Sequence, residues 1–107
     1  MKSTLFTGIV LAISLAVLIA VAGEKKITFK PKEGYVPNAE TAIKIALAVW
    51  APIYGADKIE KEKPFQATLS NGIWTVTGTL PAGMVGGVAE IDIAKDDARI
   101  LRVIHGK

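Results

Sequence analysis

His105 is the only imidazole in the chain, and so the one side chain whose ordinary charge change falls near neutral pH. A histidine on a last strand with no acid or nucleophile close by in sequence reads first as a structural group. Ser70 stands beside Asn71-Gly72 with no local base, which makes it a turn residue rather than a nucleophile. Glu90 and Asp92 are two apart, so they share a face of any strand that carries them. Carboxylates at that spacing can couple or help hold a cation, but Arg99 and Arg102 follow closely, and a surface ion-pair set is the plainer reading. Gly83, Gly86 and Gly87 lack the lysine and the strand–loop–helix context of a phosphate loop. Acid–base chemistry in a pocket would fall to Tyr54 and Asp92, the two reasonable candidates. Zero cysteines and a single histidine argue against a structural zinc site. No catalytic set, metal or cofactor is expected.

The elements that position these residues follow from period and turn chemistry. Asn38 is a candidate N-cap, and Glu40 puts a carboxylate in the first turn, where the helix dipole favours it. Ala39, Ala42, Ile43, Ala46, Leu47 and Trp50 recur at helical spacing, and Ile45, Ala48 and Val49 widen the stripe, so this helix needs cover. Pro52 ends or kinks it, with Gly55 as the stop. The charged run Asp57 to Lys63 reads as a solvated surface turn. Phe65, Ala67 and Leu69 then alternate with polar residues up to Asn71-Gly72, the strongest short hairpin signal. A two-residue turn there sets Ser70 opposite Ile73, Leu69 opposite Trp74, Ala67 opposite Val76 and Phe65 opposite Gly78. That register places a ring over a strand glycine, where the sheet can bend. Both tryptophans, Trp50 and Trp74, read as core. A third strand carries Ala89, Ile91 and Ile93 inward. A fourth brings Leu101, Val103 and His105 to the same side, with Asp92 beside Arg102. The fold expected is α+β: one long N-terminal helix plus a short turn, packed on a curved four-stranded antiparallel meander.

The first residues decide where the domain works. After Lys2, Leu5 to Ala22 is almost unbroken apolar sequence, closing on Ala20-Val21-Ala22 before Gly23. That is the pattern of a bacterial secretory signal, residues 1–22, with the mature chain starting near Gly23 or Glu24. The competing reading is an uncleaved anchor, since the run is just long enough to span a bilayer. The expected location is the periplasm, or a membrane tether facing it if the anchor is kept. Removing residues 1–22 from the 107 leaves 85, one small domain that must hold itself by packing without disulfides. Losing Lys2 takes the formal net charge from +3 to +2. The basic residues are scattered apart from Lys25, Lys26, Lys30 and Lys32, which read as a solvated tether rather than a lipid-headgroup contact. No arginine–aromatic surface suggests nucleic acid. Residues 23–36, broken by Pro31 and Gly34, read as a flexible linker, and residues 37–107 as a single domain.

Several segments in order carry a resemblance. They are Pro37-Asn38-Ala39-Glu40-Thr41-Ala42 through Pro52-Ile53-Tyr54-Gly55, then Lys63-Pro64-Phe65, then Asn71-Gly72-Ile73-Trp74-Thr75-Val76-Thr77-Gly78-Thr79-Leu80-Pro81. Gly86-Gly87-Val88 and Ile100-Leu101 to His105-Gly106-Lys107 follow. Together, over about residues 35–107, they resemble the bacterial immunity proteins with a nuclear-transport-factor-2-like (cystatin-like) fold. The resemblance implies a binding protein rather than an enzyme, one that neutralises a bacterial toxin by direct contact, and a helical layer against a bent sheet. The chain is short for that fold, so any pocket is expected to be shallow or filled. The expected contact surface is the Met84-Val85 loop with Glu90, Asp92 and His105, because apolar tips rimmed by charge suit an interface. The alternative function is a small apolar-ligand site, or weak acid–base enzyme, on the concave sheet face. A third is a purely structural envelope domain. No membrane partner is expected after signal cleavage, and exposed strand edges leave the chain a monomer or a homodimer.

Overall fold

A computed structural model describes residues 27–107, and the apolar leader lies outside the described residues. Helix α1 spans Ala39–Tyr54 and begins where the sequence places its cap: the Asn38 side chain accepts from the Thr41 N–H at 2.9 Å. It runs through Pro52 and stops at Gly55, whose φ of 95° takes the chain out of helical geometry while its N–H bonds the Ala51 carbonyl. Ala42, Ala46 and Trp50, one turn apart, are its buried line.

The charged run after Gly55 is not a solvated turn. Ala56–Glu60 forms a second short helix, α2, which buries Ile59, and the chain then sinks Glu62 into the protein with 4% of its surface exposed. Four strands follow: β1 Gln66–Ser70, β2 Ile73–Thr77, β3 Ala89–Ala94 and β4 Ile100–His105, paired in sequence order as an antiparallel sheet. Asn71 and Gly72 have φ of 50° and 75°, the two positive values a type I′ turn demands. The first hairpin accordingly has the expected register, Ser70↔Ile73 through Ala67↔Val76.

Helix α1 packs on one face of the sheet, and the core between them is Val36, Ala42, Ala46, Trp50, Ile59, Trp74, Val76, Ala89, Ile91 and Ile93. Trp74 is anchored as well as buried, donating its indole N–H to the Val36 carbonyl at 2.8 Å. The irregular stretch before Pro37 is tied down at its end: the Tyr35 and Val36 N–H groups bond Asp96 and Lys95 carbonyls of the β3–β4 turn.

Two expected inward residues are not inside. Leu69 and Leu101 each keep 45% of their surface. For Leu101 the cause is a register shift between Asp92 and Ile93: Asp92 faces Arg102 as expected, but Ile93 faces Ile100. The bulge absorbs the extra residue and takes Leu101 out of the pairing.

Candidate functional site

The buried carboxylate of Glu62 organises one end of the sheet. Its Oε1 accepts from the Ala89 N–H at 2.7 Å, and its Oε2 lies 2.9 Å from His105 Nε2. Its backbone carbonyl accepts from the Thr79 N–H at 2.7 Å. One residue thereby holds the end of β2, the start of β3 and the end of β4. The long loop between β2 and β3 leaves and returns on either side of it.

His105 is largely enclosed beside it, 14% of its side chain exposed, with the Tyr54 ring centred 5.1 Å away. Its Nδ1 is 2.8 Å from the Gly106 carbonyl and its Nε2 faces the Glu62 carboxylate. The ring thus has an acceptor at each nitrogen, and the tautomer decides which of the two contacts a neutral imidazole donates to.

Gly78 explains itself here, and differently from the sequence expectation. Phe65 packs on Trp50, with ring centroids 5.8 Å apart. What crowds Gly78 is Glu62: a Cβ on Gly78 would stand 2.7 Å from Glu62 Oε1 and 3.0 Å from its Cβ. Gly87 and Gly106 also touch backbone to backbone, and the Gly106 N–H bonds the Val88 carbonyl at 3.1 Å.

Beside this staple lies an open cavity of about 290 Å³, whose wall includes Lys58, Lys61, Leu80, Met84, Val85 and His105. Met84 is 60% and Val85 97% exposed. The expected contact residues therefore fall into two groups. Met84, Val85 and His105 meet at the cavity, whereas Glu90 and Asp92 lie on the opposite face of the sheet.

On that outer face Arg102 Nε bonds Asp92 Oδ2 at 2.8 Å, and its Nη2 pairs with Glu90. Thr75 Oγ1 donates to Asp92 Oδ1 at 2.8 Å. The Arg102 hydrogen bond, with help from Thr75, holds the Asp92 carboxyl below the usual range against the opposing cost of burial. Asp92 and Tyr54 thus point to different faces and do not share a pocket. Among the described residues there is no group of three or more His, Asp and Glu able to hold a metal ion. None of their helices is long and apolar enough to cross a membrane.

Sequence reasoning missed Glu62. A signal was present: Ile59 is the lone large apolar residue in the charged run, and Glu62, three positions on, falls on the same side of a helical turn.

A helix laid on a four-stranded antiparallel meander, with an exposed apolar loop at one end, defines a small α+β domain of the NTF2-like kind. The comparison with protein families agrees: residues 41–107 match the NTF2 fold immunity protein family, and the chain belongs to it. It is also similar to the uncharacterized protein YhhH of Escherichia coli strain K12, 40% identical over 73 residues. That match covers 67% of this chain and 58% of YhhH, so the chain spans little more than half of that relative. No solved structure matches it significantly.

Proposed function

We propose that the protein is exported to the periplasm and neutralises a bacterial toxin there by direct, non-catalytic binding. Membership of an immunity family supports the toxin-neutralising role in general. The observation that carries the binding reading is the Met84-Val85 tip, two large apolar side chains held in solvent on a loop whose feet are both hydrogen-bonded. Apolar anchors presented on a fixed frame are what interface centres are made of. Export rests on the leader sequence, residues 1–22. The sheet face turned toward α1 is filled by Trp50, Trp74, Val76, Ile91 and Ile93, which leaves the concave-face ligand reading without a chamber there.

The test is protection. The product of the neighbouring gene is sent to the periplasm of a sensitive strain with and without this protein, and surviving cells are counted. Rescue with co-purification is expected, and Met84→Ser/Val85→Ser should remove it while the fold stays intact by circular dichroism. Toxicity without rescue, or no toxicity, overturns the reading.

A further inference from the structure

The cavity at the Glu62 end has a chemistry more specific than an apolar patch. Glu62 has no oxygen left to pair with a cavity lysine, because one accepts from the Ala89 N–H and the other meets His105. Lys58 and Lys61 line the same cavity and have no ion-pair partner among the described residues. Lys30, Lys44, Lys63, Arg99 and Arg102 each hold an acid, whereas Lys32 and Lys95, away from the cavity, share the lack of a carboxylate partner among the described residues. What sets Lys58 and Lys61 apart is that both line one cavity beside exposed apolar side chains. Leu80, Met84 and Val85 line the same cavity, 38%, 60% and 97% exposed. A volume of about 290 Å³ sits at the lower edge of small-molecule sites, which run from roughly 300 to 1,000 Å³. It has room for a side chain or two rather than for a large cofactor. Its frame is preorganised, since Thr79 and Gly106 fix the two feet of the loop through backbone bonds.

We propose that this cavity is a socket for an acidic–apolar segment of the partner protein. An Asp or Glu side chain of that segment engages Lys58 and Lys61, and an adjacent apolar side chain packs on Leu80, Met84 and Val85. The proposal rests on the binding function above and names the chemistry of the surface that is bound.

Random peptides displayed on phage, selected against the purified full-length gene product, test it while the partner is still unidentified. The counter-target is Lys58→Glu/Lys61→Glu, two exposed positions, checked for folding by circular dichroism. Enriched peptides should carry Asp or Glu next to a large apolar residue. Their affinity should fall about tenfold or more on the charge-reversed protein, a loss of about 1.4 kcal/mol, and should weaken as salt rises. Met84→Ser/Val85→Ser should weaken the same peptides while leaving the salt dependence in place. No enrichment, enrichment of basic or uncharged peptides, or equal binding to the charge-reversed protein overturns the proposal. The two readings separate cleanly. Full protection of cells by Lys58→Glu/Lys61→Glu sinks the socket and leaves immunity standing. Selection of acidic–apolar peptides without any rescue from a toxin does the reverse.

Discussion

Two paired carboxylate arrangements sit on opposite faces of the same sheet, and they do different work. Glu62 and His105 are enclosed, with 6% and 14% of their side chains exposed, and both Glu62 oxygens are committed. Arg102 with Glu90 and Asp92 uses similar chemistry at 40%, 29% and 21% exposure, where water competes for every contact. Burial decides the difference. In the enclosed pair, losing one member strands the other and a backbone N–H without solvent to replace it. On the open face, water and neighbouring threonines take over. The enclosed pair ties three strand ends to α2 and frames the cavity, while the open set steadies the register between β3 and β4.

The sharpest way to break this comparison is Glu62→Ala. It orphans the Ala89 N–H and leaves His105 facing an empty space, and breaking a buried pair in this manner costs about 3–5 kcal/mol. Domains of this size have a total stability of about 5–15 kcal/mol, so the variant should be close to unfolded at 37 °C. Urea unfolding followed by tryptophan fluorescence measures it. Glu62→Gln is the discriminating partner. Its carbonyl can still accept from Ala89, and its amide can donate to a neutral His105 Nε2, so most of the stability should return, with a loss of about 1 kcal/mol. Equal damage from both substitutions would mean that charge, rather than hydrogen bonding, holds this end together.

Gly78→Ala comes next in size. The added Cβ would overlap Glu62 Oε1 at 2.7 Å, and Glu62 has no slack because both its oxygens are held. Overpacking of this kind costs about 1–3 kcal/mol. In the Glu62→Ala background the obstruction is largely gone, so the two penalties should not add, and a double-mutant cycle reads the coupling. Strict additivity would show that Gly78 is needed for some other reason.

Much of this frame is legible in the sequence because its determinants are local. Asn71-Gly72 dictates a turn, the turn dictates a register, and alternation then assigns Trp74 and Val76 to the core. Asn38 and Gly55 bracket α1 by the same kind of short-range chemistry. The Glu62 site escapes such reading because its partners, Ala89 and His105, are 27 and 43 residues away. Nothing in a period of two or of 3.6 residues marks a charged residue that will be buried by distant elements. The bulge between Asp92 and Ile93 escapes for a related reason: an inserted residue preserves the alternation on either side and shifts only the pairing. Alternation therefore places Leu101 inward, where the bulge takes it out. The contact residues are legible by the same local rules that fix the first hairpin. Met84 and Val85 are read from exposure-prone loop chemistry, and alternation already sets His105 inward with Ala89 and turns Glu90 and Asp92 outward, as the structure has them.

The smallest effect expected is on the open face, and pH reads it. The Asp92 carboxyl titrates below its ordinary value of 3.8 in the folded protein, first because of the Arg102 hydrogen bond. A depressed folded-state value means that the unfolded chain binds the proton first. Stability from this contact is then complete above the unfolded value, near 4, and is lost as pH falls through the lower folded value. Asp92→Asn should therefore flatten the stability profile below about pH 4 and change it little at pH 7, where exposed pairs contribute weakly. Unfolding midpoints in urea across that range are the measurement. A loss at neutral pH as large as that of Glu62→Ala would erase the distinction between the two faces and make the Arg102 set a structural centre of equal rank.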